Sequence, residues 1–493
     1  MRAPRRPEKP RLAVAVDFGT TLTKATILIL HPDNEPQMID VRNYPGDTAG
    51  DSMVPSVLSY SAYGEGSSRM CFGYEAQQEL CSGDPQRVIY GRFKPEFPSG
   101  SVRPINADGP TRNVDELYLR MAQIMYHHIR YFYRTAVRND YDMPLPDWEE
   151  IPVEFCFSVP ATGSPELAGE KLKQLARQAG FGGVPGHSIF HVVLTEGEAS
   201  AIFSLTSRDG TGETVVVVDV GGATSDLCVL NVTDQNAAQV ALDFAEPVRG
   251  QSIGAINVNN ELEQRLAQFL TARVDNPVSL ARSIVNNFKL EVEKIAVCSQ
   301  TSKGNGVKIK IRVTAAPEGG NQSGSGSDPA TAGLSIAGNQ LTIGSDLIQR
   351  LVDAQVLGTG GYGDVYLKRQ LDAVIEDAWI KRTAGTSGEV HLILWSGGFG
   401  SSAYVRGQLQ RRLIEERDGE PRPYGPPVHR NIKDLKFAVS SEPQMCVCKG
   451  LLQHWLKDWE SSPLEQEGQA EDAQGQKKRK GSWWRRMFRL HKK

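Results

Sequence analysis

No run of eighteen apolar residues occurs in the 493-residue chain, so nothing in it reads as a bilayer-spanning helix. Cysteine is sparse: seven residues, at 71, 81, 156, 228, 298, 446 and 448. The count is odd and no CxxC pair occurs, which argues against a disulfide framework and a structural zinc site. A reducing compartment, the cytoplasm, is the expectation. The opening MRAPRRPEKPR is basic and proline-rich but lacks an apolar segment, so it is not read as a secretory signal. A large charge of one sign is missing too. The net charge is −3, so the whole protein is no generic polyanion binder and no nucleic-acid partner is expected.

The charge that exists is unevenly placed. Residues 477–493, KKRKGSWWRRMFRLHKK, hold nine Lys/Arg and no acid, which leaves −12 on the rest of the chain. KKRK has the look of a nuclear localisation patch, and on a helix Trp484, Met487 and Phe488 share one face. That suits an interfacial helix on an anionic membrane surface. A solvated, disordered tail is the plain alternative.

The length suits two or more domains. Short β-branched runs alternate with helical patterns, which predicts an α/β chain. The expected division is a disordered leader at 1–11, a first lobe at 12–205 and a second at 206–457, with a mobile Gly/Ser-rich insert near 316–333. An acidic linker and the basic aromatic tail follow over 458–493. VEFCFSVPA (153–161) reads as a buried strand, followed by a helix that Ser164 can cap.

A weak internal repeat organises the rest. VAVDFGTTLTKATIL near 14 and VVVDVGGATSDLCVL near 216 both read apolar run, Asp, small-residue turn, apolar run. Such a turn exposes successive backbone N–H groups that cradle phosphate oxygens. Gly19, Gly221 and Gly222 permit close approach, and Thr20, Thr21 and Thr224 add hydroxyl donors. Asp17 and Asp219 beside phosphates require a cation such as Mg²⁺. Each stretch alone is equally a tight hairpin with Asp as turn former; the pair favours the clamp. A third site, LILWSGGFGSSAYVRGQL (392–409), is a strand, a turn at Gly397 and Gly398, then a helix, an arrangement that suits nucleoside or anionic ligands.

Together these segments resemble the actin-like ATPase superfamily, and within it the Hsp70 branch. VAVDFGTTLTKATI is similar to the first phosphate loop and VVVVDVGGATSDLCVL to the second. FCFSVPATGSPELAGEKLKQLARQAGF with VVLTEGEASAIF resembles the first connecting segment. VRGQSIGAINVNNEL resembles the glycine-rich stretch after the second loop, LILWSGGFGSSAYVRGQL the adenosine motif, and EPQMCVCKGLL the second connecting helix. The six run in the family's order from about 12 to 457.

The resemblance implies an actin-like (ribonuclease H-like) fold of two duplicated lobes around a cleft for Mg-ATP or ADP. Asp17 and Asp219 would hold Mg²⁺, largely through waters. Thr20, Thr21, Gly221, Gly222 and Thr224 would contact phosphates. Glu196 would order the metal-bound water, and Asp226 would stand near the attacking water or a monovalent cation such as K⁺. Lys94 in YGRFKPEF would position water at the γ-phosphate, with Arg92 two residues away as the rival. Gly397 and Gly398 would line the nucleoside, and Glu291 and Lys294 would reach adenine and ribose. Three positions depart from the pattern: Ala223 for a glycine, Phe399 for a serine, Gly197 for a proline. An Hsp70 peptide-binding domain is not expected in the residues after 457.

The leading expectation is a weak ATPase related to chaperones, with an unidentified protein partner or co-chaperone. A non-hydrolysing nucleotide-gated scaffold is the alternative, and a small-molecule kinase of the superfamily a more distant one. Fragments that mimic a protein kinase (GTGGYGDV at 358–365, HRNIKDL at 429–435, DFG at 17–19) stand in the wrong order. His187 with His191, and His127 with His128, lack ligands at metal spacing and are expected at polar surface or helix positions.

Overall fold

Strands whose two faces are both covered should be apolar throughout, and the two apolar runs of the repeat obey this rule. In β1 (Arg11–Phe18), Leu12, Val14 and Val16 enter one core while Ala13 and Ala15 enter another. β1 turns back into β2 (Leu22–Leu30) and then β3 (Gln37–Asp40), all antiparallel. On its other edge β1 pairs in parallel with β4 (Val153–Val159), which pairs in parallel with β5 (His187–Ile189). The computed structural model describes residues 6–62, 70–82, 84–98, 100–106, 109–161, 164–191, 194–206, 211–236, 239–244, 249–286, 307–312, 331–359, 366–380, 389–418, 432 and 434–462.

The second sheet repeats the five-strand order of this plan; the first has one further strand, Leu194–Thr195 beside β4, that finds no counterpart among the described residues. β6 (Thr214–Val220), β7 (Ser225–Asn236) and β8 (Gln239–Phe244) form the antiparallel meander. β9 (Leu392–Ser396) and β10 (Lys436–Val439) add in parallel beyond β6. Even a minor strand recurs: Met53–Pro55 pairs with the start of β2, and Arg249–Gln251 with the start of β7. The chain is thus mixed α/β, with two sheets of one five-strand topology.

Helices cover both faces of each sheet. α1 (Val114–Phe132) and α2 (Pro165–Ala179) pack on the first, with Asn113 and Ser164 capping their N-termini and Gly180 at φ 108° ending α2. α3 (Glu196–Thr206) closes the first half, yet its Ala201 and Leu205 pack on Val215 and Val217 of the second sheet. α4 (Ala255–Leu270) and α5 (Pro277–Val285) cover that sheet's other face, with α6 (Ala403–Asp418) following β9. The reciprocal crossover is α7 (Cys446–Ser461). It closes the second half but lays Cys446, Cys448, Leu451 and Leu452 on Ala13, Ala15, Leu28 and Leu30 of the first sheet. α3 and α7 meet where a Cβ on Gly450 would lie 1.8 Å from the Ala199 carbonyl oxygen.

Two expected boundaries move. Residues 6–11 are not a free leader: Arg6 pairs with Glu35 at 2.8 Å, and Arg11 begins β1 with its guanidinium over Trp455 and Trp459. The linker does not begin at 458, since α7 runs to Ser461 with Trp459 buried. Residues 316–330 of the insert and the tail at 477–493 lie outside the described residues, as do GTGGYGDV from its third residue and HRN. Cys71, Cys156, Cys228, Cys446 and Cys448 are buried free thiols. Among the described residues no helix is long and apolar enough to cross a membrane.

Candidate functional site

The two repeat turns come together where the sheets face each other. At the first, a side chain on Gly19 would strike the Leu22 carbonyl oxygen at 2.2 Å, so only glycine makes this bend. Ser56 braces it: its Oγ donates to the Gly19 carbonyl at 2.7 Å and its N–H to the Thr21 carbonyl at 2.9 Å. At the second, the Gly221 N–H donates to the Thr224 carbonyl at 2.9 Å, and the Ile256 N–H at the start of α4 donates to the Gly222 carbonyl at 2.7 Å. A Cβ on Gly222 would lie 2.5 Å from Cγ2 of Thr21. The turns therefore abut. Thr20 is buried and Thr21 exposed.

The third turn locks onto the second. Gly397, at φ 74°, would bring a Cβ to 2.3 Å from Oδ1 of Asp219. The N–H groups of Phe399 and Gly400 donate to the Val220 carbonyl at 2.9 and 3.0 Å. Gly398 is exposed, with nothing within 4 Å of a built Cβ. Phe399 turns partly into the second core and Ala223 is buried, so two of the three departures from the pattern present no bulk to the open space.

Six ionisable residues gather behind the turns. Asp17 lies opposite Lys24 in the β1–β2 register, its Oδ2 3.2 Å from the Lys24 Nζ. Its Oδ1 accepts from Ser158 at 3.1 Å and lies 3.9 Å from the Lys94 Nζ. Lys94, buried in a short 3₁₀ turn (Lys94–Glu96), also contacts Glu196, the first residue of α3. Asp219 lies opposite Asp226 in the β6–β7 register and beside Ser396 of β9, whose hydroxyl accepts from Ser200 at 2.6 Å. Arg92 turns away, to Asn260 and Asn286, so of the two rivals it is Lys94 that joins Lys24 in the cluster.

Burial and charge set the ionisation of these acids. Burial resists the charge on Asp17, but Lys24 and Lys94 outweigh it and hold the carboxyl below its usual range. Burial pushes Asp219 up to about 6. Burial, with Asp219 adding repulsion, pushes Asp226 up to about 7. When all four carboxylates are ionised, the two ammonium groups leave an excess of two negative charges. Oδ2 of Asp219 and Oδ1 of Asp226 are buried with no hydrogen-bond partner among the described residues. Unsatisfied acceptors on the acid-rich jaw and an excess of two charges fit a divalent cation. No three acid, His or Cys side chains among the described residues are grouped closely enough to hold a metal by themselves. The fit is to a hydrated cation shared with ligand oxygens, the coordination Mg²⁺ favours.

Asp17, Lys94, Glu196, Asp219, Asp226, both repeat turns and Gly397 thus converge from distant stretches of sequence. Glu291 and Lys294 lie outside the described residues. Lys24, Ser56, Ser158, Ser200 and Ser396 escaped the sequence reading. One signal was available: Lys24 follows Asp17 by the spacing at which Asp226 follows Asp219, so aligning the two repeats marks it. The serines carry no sequence signal. His128 lies on helix α1, one of the expected positions, whereas His187 is buried on a strand. His187 is buried and bonds the Trp148 carbonyl through Nε2 at 2.9 Å, and His128 is buried against the Arg42 carbonyl and the Tyr44 ring. No family model matches this sequence, and no curated protein matches it.

Proposed function

We propose that the protein binds Mg-ATP between its two halves as a member of the actin-like ATPase superfamily, Hsp70-like in its motifs, and hydrolyses it slowly to ADP and phosphate. The observation that carries this reading is the abutment of two topologically equivalent turns in front of Asp17 and Asp219. A repeat that served only as two hairpins has no reason to bring its acids together across a sheet-to-sheet junction, since buried like charges repel.

Each residue has work suited to its surroundings. The backbone N–H groups and hydroxyls of Gly19–Thr21 and Gly222–Thr224 hold phosphate oxygens, with Gly221 allowing close approach. Asp17 and Asp219 would hold Mg²⁺, which would supply charge neutralisation beside the phosphates. Lys24 keeps Asp17 ionised and offers a second cation beside the phosphates. Lys94, oriented by Glu196 and Asp17, steadies the water and the charge on the γ-phosphoryl group. The water oxygen bonds to γ-phosphorus, the bond to the bridging oxygen breaks, and Asp226, with a free acceptor atom, takes the water's proton. Gly397 and Gly398 leave room for the nucleoside.

Titration of Mg-ATP and of ATP with chelator into the wild type and into Asp219→Ala tests the reading. We expect wild-type binding that requires Mg²⁺ and a loss of roughly 100-fold or more in Asp219→Ala. Lys94→Ala should keep binding within a few-fold but slow phosphate release by about 10²-fold. A wild type that binds no nucleotide sinks the proposal. Tight binding with no phosphate release replaces it with the nucleotide-gated scaffold.

A further inference from the structure

Arg92 has φ 57°, one of three non-glycine residues at positive φ among the described residues. Asparagine visits that region readily and arginine does not, so the surroundings must hold it there. They do so through its side chain. Nη1 donates to Oδ1 of Asn260 on α4 at 3.0 Å, and Nη2 to Oδ1 of Asn286, at the end of α5, at 2.8 Å. Asn286 is itself fixed, its Nδ2 donating to the Arg282 carbonyl at 2.8 Å. Both acceptors belong to the second half, whereas Arg92 follows the strand Arg87–Gly91 of the first.

The clasp connects to the site at both ends. α4, which carries Asn260, backs the second turn through the Ile256-to-Gly222 hydrogen bond. Two residues beyond Arg92, Lys94 enters the acid cluster and meets Glu196 and Asp17. The left-handed bend at 92 lets the Arg92 and Lys94 side chains leave in different directions, one across to the second half and one into the cluster. Parting the halves breaks the clasp and displaces Lys94 together.

We infer that Arg92 is a positioning residue: its clasp on Asn260 and Asn286 latches the two halves over a bound nucleoside triphosphate and sets the reach of Lys94. The inference rests on the proposed function. The energetic effect belongs to the release step, because a latch that forms after entry chiefly slows escape.

The test is stopped-flow release of a fluorescent ATP analogue chased with excess ATP, with turnover measured in parallel. Wild type, Arg92→Ala, Asn286→Ala, Arg92→Lys and the Arg92→Ala/Asn286→Ala double variant are compared. Release should quicken about tenfold in Arg92→Ala and about threefold in Asn286→Ala. The double variant should match Arg92→Ala, since one clasp is lost once. Arg92→Lys should recover part of the slow release, and kcat should fall more than KM changes in Arg92→Ala. Asn286→Ala leaves the backbone at 92 untouched and guards against a folding defect. If the wild type binds the analogue and every variant releases it at the wild-type rate, the latch is overturned and the proposed function stands. Faster release in Arg92→Ala but not in Asn286→Ala overturns the clasp in favour of a local backbone effect. A wild type that binds no analogue overturns both.

Discussion

Asp17 and Asp219 occupy equivalent places, yet the residues opposite them differ: Lys24 across the first hairpin, Asp226 across the second. The first jaw is locally neutral and the second doubly acidic, so the demand for a cation falls on one side of the junction. At His454, burial is the largest influence on ionisation. His454, near the Phe190 ring and facing His191, Lys457 and Asp458, is pushed down to about 4 by burial, against the pull of Asp458. Its folded value lies below the unfolded value of about 6.5, so protonation favours the unfolded chain. Its contribution is whole above pH 6.5, erodes as pH falls, and is gone once pH has passed about 4. Against His454→Gln, the wild type should lose about 1–2 kcal/mol between pH 7 and pH 4, read from urea midpoints at each pH. Parallel curves for the two proteins would refute this.

At the scale of elements, close approach decides where glycine is needed. Gly450 meets Ala199 backbone at the α3–α7 crossing, and a methyl there has no room. Gly450→Ala should cost about 3 kcal/mol in urea unfolding, because rigid backbone rather than a mobile side chain must give way. Gly398→Ala, which meets nothing within 4 Å, should be nearly neutral in the same experiment. Equal effects would show that the helices can slide apart. The same logic separates what sequence could and could not reveal about elements. The β1 and β6 runs and the Ser164 cap announce themselves by composition and spacing, and the helix at Cys446 is expected only from the resemblance of EPQMCVCKGLL. The bracing of the first turn by Ser56 does not, because a lone serine before a strand has no pattern.

The whole molecule is two repeats that exchange helices. The first sheet is covered on one face by α7 from the end of the second half, and the second sheet by α3 from the end of the first. Cutting the chain within 207–210 should therefore leave each fragment with a bare apolar sheet face. Expressed alone, each should be unfolded or aggregated. Expressed together they should associate, which co-purification and circular dichroism will read. Two independently folded, monomeric fragments would contradict the exchange.

What the sequence by itself determined is local and periodic: two apolar runs that each stop at an acid and a small-residue turn, their common order, and helices marked by cap and period. Hydrophobic patterning and glycine chemistry act over a few residues, so they are legible there. The tertiary structure alone decided which distant groups meet. Lys94 rather than Arg92 joins the acids because the backbone at 92 bends left-handed and sends the two side chains apart. Ser158 and Ser396 stand behind Asp17 and Asp219 because parallel pairing brings β4 beside β1 and β9 beside β6. Those contacts come from strand order and register, which depend on long-range pairing that no short stretch of sequence encodes.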